Sequence, residues 1–308
     1  MSRFSASTLD LSRIDKSTLF APLSFETFRQ ERIDDLKARL EAAGMEWDTF
    51  SLEDDSNIPL QEAGATREMF VSQQIRDVAY NLTLAFAKGA WLDRLGDQHG
   101  TARMPLVVDP RPFVDAPEDW ESDDRYRGRI QLAPEGFASS GTPGGYLYHA
   151  MAASIDVRDA AVVVLNKGKN DPIVEMTILS RVGEGEPSAE LTRTVRSRLM
   201  RDDIKLLTDA LRVRPARPVP YVVKATLLIP PGPDSSVIKA NATASVRAMA
   251  DRYRRIGGGV PHSAIVASLH VTGVDSAVQI APASSVETLR FQYGLLTGVD
   301  IAVEVMSG

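Results

Sequence analysis

Four histidines, one run of acids and several glycine-rich stretches are the parts of this chain with the means to do chemistry. His99, His149, His262 and His270 are its only imidazoles, the groups that usually shuttle protons or ligate metals near neutral pH. None stands in an HExxH or other paired-ligand spacing, so each is read as structural. Asp115, Glu118, Asp119, Glu121, Asp123 and Asp124 could supply the carboxylate pair that acid–base cleavage needs. Such a pair works only where its surroundings split the two pKa values, and in so polar a stretch these acids are expected to be solvated. Gly183, Gly185 and Ser188 imitate the opening of a dinucleotide-binding GxGxxG, but Pro187 interrupts it and Ser ends it. GFASSGTPGG at 136–145 is neither a GxSxG nucleophile elbow nor a GxxxxGK[ST] phosphate loop. There is no cysteine, which removes disulfides, zinc–cysteine sites, iron–sulfur centres and thiol nucleophiles. The residues point to no catalytic, cofactor-binding or metal-ligating set.

The arginines read as contact chemistry. Arg193, Arg196, Arg198 and Arg201 gather on or beside one helix; Arg252, Arg254 and Arg255 close another, where cations suit the negative helix end. Arg212, Arg214 and Arg217 mark an extended basic stretch. A nucleic-acid groove would interleave stacking aromatics, and only Tyr221 and Tyr253 are near. Net charge is −6, divided unevenly: through Ile130 there are 24 acids against 16 bases, and beyond it 17 against 19. Neither part is the basic footprint of a nucleic-acid binder. The −8 and +2 halves instead suit contact between copies, a hypothesis whose mark would be self-association that weakens with salt.

The elements that hold these residues come from 308 residues, 44% hydrophobic and 25% charged, a globular composition long enough for about two domains. No run approaches the roughly 18 apolar residues of a membrane span, and MSRFSASTLDLSRIDKS has no apolar core of a secretory signal. Residues 1–22 read as an extended arm. A first helix is expected from Ser24 to Gly44, with Phe25, Phe28, Ile33, Leu36 and Leu40 at helical spacing. Trp47 to Pro59 is acidic and reads as a loop. A second helix is expected from about Thr66 to Lys88. Ile75, Val78, Ala79, Leu82 and Phe86 form one apolar stripe on it, and Tyr80, Leu84 and Ala87 a second. A helix apolar on more than one face is buried on several sides, either inside its own bundle or against other chains; both alternatives stay open. Trp91, Leu92 and Leu95 start a short helix. Prolines 105, 110, 112 and 117 mark a linker, and 136–145 a loop.

From there the pattern changes. Strands are expected at 160–165, 173–179, 221–229, 274–280 and 299–305, and helices after Ser188, from Ser235 or Ser236, and at 262–269. NKGKNDP, at 166–172, reads as a turn. The expected class is α+β: a helical N-terminal part, then two or more small α/β-sandwich-like modules. The expected divisions are 1–22, a bundle-forming region 23–104, a Pro-rich linker 105–121, and α+β domains 122–218 and 219–308.

Six stretches, in order along the chain, resemble one family. They are LSFETFRQERIDDLKARL; VAYNLTLAFAKGAWLDRLGDQHGTAR (78–103), with its break at Gly89, Leu92 and Asp93; the centre from Asp124, Arg125 and Arg129 to Tyr146, Tyr148, His149 and Ala150; MTILSRVGEGEPSAELTRTVRSRL (176–199); RPVPYVVKATLLIPPGPD (217–234); and HSAIVASLHVTGV (262–274). Together they resemble the phage baseplate assembly protein J family. The resemblance implies a structural wedge protein of contractile tails, without enzymatic activity or cofactor. Its implied partners are a second copy within each wedge, further wedges in a ring around the hub, a second wedge protein bundled with the front helices, and sheath or hub-proximal baseplate proteins. No nucleic acid or membrane is implied. The implied place is the virion tail baseplate, assembled in the host cytoplasm, with the ring passing on the trigger for sheath contraction. Ile75, Val78, Leu82, Phe86 and Trp91 are the expected bundle interface. The alternatives are a wedge component of a type VI-like secretion baseplate and a cell-wall hydrolase using the acids of 115–124.

Overall fold

The structure, a computed structural model, describes residues 11, 14–15, 19–45, 57–138, 141–166, 172–232 and 234–306. Most of the expected arm 1–22, of the acidic loop 47–59 and of the NKGKNDP turn lies outside these residues. The class is α+β: the described residues form eight α-helices and six strands, helical at the front and strand-rich behind. The chain divides into two compact units, a front one of residues 7–103 and 110–127 and a rear one that includes 104–109 and 128–308. The stretch expected as a linker is thus shared between them, and the expected division at 218 falls inside a strand that begins at Arg217.

The front unit is built from α1 (Phe25–Ala42), α2 (Asn57–Asn81), α3 (Gly89–Gln98) and the first turn of α4 (Asp123–Gly136). α1 packs along α2 and buries Ile33, while α2 buries only Ile58 and Ala65. Two expectations for α2 are corrected. It begins at Asn57 rather than Thr66, because Pro59 falls in its first turn, where a missing N–H costs nothing. It ends at Asn81 rather than Lys88. Just beyond, the Thr83 hydroxyl donates to Tyr80 O at 2.8 Å, and Arg127 binds the carbonyls of Leu84 and Ala87 at 2.8 and 2.7 Å. Arg127, on α4, thus ties down the backbone that follows the helix.

The rear unit holds two three-stranded sheets. In the first, the order is β1-β2-β3, from β1 (Val157–Leu165), β2 (Ile173–Ser180) and β3 (Ala210–Pro215), with β2 antiparallel to β1 and parallel to β3. α5 (Pro143–Met151) and α6 (Ala189–Leu199) share a core with it that includes Leu147, Met176, Ile178, Val195 and Leu199. β3 was expected only as an extended basic stretch. Its Arg214 pairs at 3.1 Å with Glu175, buried on central β2, and lies over the Phe291 ring at 4.5 Å.

In the second sheet the order is β5-β4-β6, from β4 (Arg217–Ile229), β5 (Ser276–Ala281) and β6 (Gln292–Val305), with β4 and β6 parallel. α7 (Ser235–Tyr253) and α8 (His262–Leu269) provide the crossover that parallel strands require. One side of β4 (Tyr221, Val223, Ala225, Leu227, Ile229) joins Ile238, Val246, Met249, Ile265 and Leu269 in the largest core. β6 starts well before the expected Val299. α7 starts at Ser235, as expected, and is capped by Asp234, whose side chain accepts from Ser236 N at 2.8 Å.

The expected cap at Ser188 is present: its Oγ accepts from Leu191 N at 3.0 Å. Ser188→Ala should therefore cost about 1 kcal/mol in denaturant unfolding. A change under a few tenths would show that the α6 terminus is held by its core contacts alone.

Candidate functional site

The residues once weighed for chemistry do not converge on a reactive centre. Five of the six acids at 115–124 carry arginine partners: Glu118 and Asp119 take Arg111, Glu121 takes Arg125, Asp123 takes Arg103, and Asp124 takes Arg127. Asp124 and Glu118 stay solvated as expected, at 97% and 66% exposure, whereas Glu121 and Asp119 are drawn further in by their arginines. The Asp119 carboxyl is held below the usual range by its hydrogen bonds from Arg111. Among the described residues no group of three or more His, Asp or Glu could hold a metal ion, and no helix is long and apolar enough to cross a membrane.

The fold perturbs His149. Burial is the first cause and the Arg198 cation the second; Arg201 adds to them, while the Gly136 backbone and Asp203 act in the other direction. The Tyr148 ring stands edge-on at 5.2 Å. The net effect lowers its pKa below the ordinary 6.5. A depressed folded-state pKa means that the full stability is present above the unfolded value. As pH falls below that value, the unfolded chain takes up a proton that the native state refuses, and stability is lost. His149→Gln should flatten the fall in Tm between about pH 7.5 and 5.5. An unchanged slope would assign the acid sensitivity to other groups.

What the front unit offers instead is an unpartnered apolar face. At 1.5 Å per residue α2 is about 37 Å long. Leu60, Phe70, Val71, Ile75 and Val78 are all exposed on it, Ile75 at 63% and Leu60 at 65%. At about 100° per residue, Leu60, Val71, Ile75 and Val78 fall within a sector of about 60°. Ile58 and Ala65 lie about 130° round the helix from that sector, on the side where Arg29 bonds Glu62 at 2.8 Å and Arg32 bonds Gln61 at 3.2 Å. Arg32 also pairs with Glu68. Gly64 makes room for that guanidinium, since a Cβ there would overlap it. Among the described residues, α1 therefore covers one side of α2 and leaves the opposite apolar side exposed.

Of the expected interface residues, Ile75 and Val78 lie in this stripe. Leu82 stands one residue past the helix end and is 62% exposed. Phe86 is turned elsewhere: its ring meets Tyr80 edge-on at 5.5 Å, and Tyr80 in turn meets Phe20 at 5.5 Å. Trp91 is exposed on α3. Leu60, Phe70 and Val71 were missed. Starting the helix at Thr66 left Leu60 out, while Phe70 and Val71 lay inside the expected helix but were not counted in the stripe, which was begun at Ile75.

Elsewhere in the front unit a buried cation, Arg103, gathers several elements. Arg103 pairs with Asp93 at 2.7 Å and Asp123 at 2.8 Å, and its Nη1 donates to Glu121 O at 2.8 Å. Its guanidinium carbon lies 4.1 Å from the Phe113 ring centroid and 4.6 Å from that of Tyr126. The Tyr126 hydroxyl donates to Thr101 O at 2.6 Å. Asp123 also accepts from Gly89 N at 3.1 Å. α3, the start of α4 and the proline-bearing stretch are thus joined through a single side chain.

Residues 53–111, which include α2, its bare face and α3, match the family model described as the baseplate J-like N-terminal domain. The chain is also 32% identical over 284 residues to the baseplate protein J of Escherichia phage P2, an alignment that covers 90% of this chain and 92% of that one.

Proposed function

The chain belongs to the baseplate protein J family, proteins of the virion tail baseplate, and from that premise we propose that it is a wedge subunit whose α2 stripe joins other chains in a helical bundle. The role is structural, and its chemistry is association rather than turnover. Copies pair within a wedge, the wedges form a ring around the central hub, and the ring passes the contraction trigger to the sheath. A second wedge protein shares the bundle, and sheath or hub-proximal proteins complete the contacts.

The observation that carries this reading is the bare apolar side of α2 within the segment that matches the family model. A folded unit that leaves Leu60, Val71, Ile75 and Val78 in water exposes the kind of contiguous patch that marks an interaction surface. Large interfaces, on the order of 2,000 Å² or more, are the usual size for obligate pairs. The test is direct. A tagged copy should be found in purified particles, with antibody label confined to the baseplate end of the tail. Label along the tail, or particles complete without this chain, would overturn the reading.

A further inference from the structure

The arginines at the end of α6 serve none of the roles described so far. From Leu191 to Arg201 the chain carries Arg193, Arg196, Arg198 and Arg201 and no acid. Leu191, Val195 and Leu199 set the buried side of α6. At about 100° per residue, Arg193 and Arg196 lie about 100° or more from the centre of that side, and Arg198 flanks it at about 60°. Arg193 and Arg196 are accordingly exposed, whereas Arg198 is half-buried. Arg201, just past the helix, is held by Asp203 through two bonds at 2.9 and 2.7 Å. Arg198 is not matched in this way: among the described residues no acid pairs with it, and its Nε is buried without an acceptor.

α5 packs against α6 and brings His149 to the same corner. The imidazole is half-buried, and its Nδ1 is buried without a partner. The charges that bear on the two groups come from several elements. Arg129 of α4 and Arg201 act on Arg198 as like charges, and Arg198 and Arg201 do the same to His149. The carboxylate that opposes them is Asp203, which Arg201 already engages. Buried polar groups normally find partners, and cations withdrawn from water are normally paired. Here two donor groups on adjacent helices share a cationic corner and leave nitrogens unfilled.

We propose that Arg198 and His149 form a binding site for an oxyanion, a carboxylate or a phosphate group, at the junction of α5 and α6. A planar guanidinium meets such a group through parallel N–H donors. The imidazole beside it adds a further donor, in the protonated form that a neighbouring anion favours. The bound group supplies the negative charge that Asp203, committed to Arg201, does not. A free phosphate ion and an acidic side chain of a neighbouring chain offer the same chemistry. The site lies in the rear unit and stands apart from the α2 stripe.

Inorganic phosphate and glutarate, each added to the full-length chain and compared with chloride at equal ionic strength, test it. At about ten times its dissociation constant, a bound anion should raise Tm by about 2–4 °C. It should also move the His149 titration, followed by NMR of the imidazole, to higher pH. Arg198→Met, which keeps much of the stem beside the core, should remove both effects. Arg193→Met, at an exposed position on the far side of the helix, should keep them. A response to phosphate alone assigns the site to the free ion, and a response to glutarate assigns it to an acidic side chain. A His149 titration indifferent to both anions would overturn the proposal, even if Arg198→Met fails to fold. A gain in Tm equal in the wild type and in Arg198→Met would make it a general salt effect and overturn the proposal as well.

Discussion

Arg103→Met is expected to destabilise the front unit by about 3 kcal/mol, the cost of breaking a buried ion pair by removing one partner. The methionine keeps much of the stem that lies between Phe113 and Tyr126. It removes the bonds to Asp93, Asp123 and the Glu121 carbonyl together. Side-chain exposure of Asp93 and Asp123 is 32% and 28%, so both recover some hydration, which keeps the expected loss at the low end of the range for buried pairs. Arg103→Lys should restore little, because a single ammonium cannot span carboxylates and carbonyls that the planar fork meets at once. Among the described residues the tryptophans are Trp91 and Trp120, and both fall within the front unit. Tryptophan fluorescence in a urea titration of the full chain therefore reports on this unit. A midpoint shift worth less than about 1 kcal/mol would show that the cluster is not what holds α3 and α4 together.

Ile75→Asp should do the reverse: leave the isolated chain intact and remove its association. Ile75 is exposed in the free protein, and surface substitutions away from special features usually stay within about 0.5 kcal/mol. In a dry bundle the same carboxylate has neither water nor a partner, and it replaces an apolar side chain whose burial is worth about 1.5–3 kcal/mol. A combined penalty of about 4 kcal/mol corresponds to roughly a thousandfold in affinity. Co-purification with the second wedge protein should be lost while the melting temperature stays unchanged. Retention at the wild-type level would remove the stripe from the interface, and a collapse in melting temperature would make it part of this chain's own core. The pair of variants thus separates a residue that holds the fold from one that holds the assembly.

Local patterning made much of the rear unit legible. β1 and β2 follow from their Val and Ile runs, α8 from its compact apolar repeat, and α6 from the Ser188 cap. These signals lie within a few residues of the element they specify. What escaped the sequence depends on distant partners. The residues after α2 hand the Leu84 and Ala87 carbonyls to Arg127, forty or more positions along, a partner that no local signal announces. β3 has alternating arginines that look like a basic loop until Glu175 on the neighbouring strand is known to receive one of them. Among the acids of 115–124 the local pairs to Arg125 and Arg127 follow from sequence spacing, whereas the pairs to Arg103 and Arg111 are brought together by the fold. The stripe was legible in type and direction but not in extent, since its exposure depends on which side α1 covers.

The passage from β3 to β4 has a mechanical corollary. Pro215 ends one strand, Arg217 begins the next, and only the buried Ala216 lies between them. Tension along this line enters both sheets through a nearly continuous backbone. Because β4 runs parallel to β6 over its full length, a pull along the strands acts on their ladder in shear. The bonds then resist together instead of peeling one at a time. Such a rear unit would stretch little under force and would hand a displacement at one sheet to the other almost undiminished, as a stiff lever does.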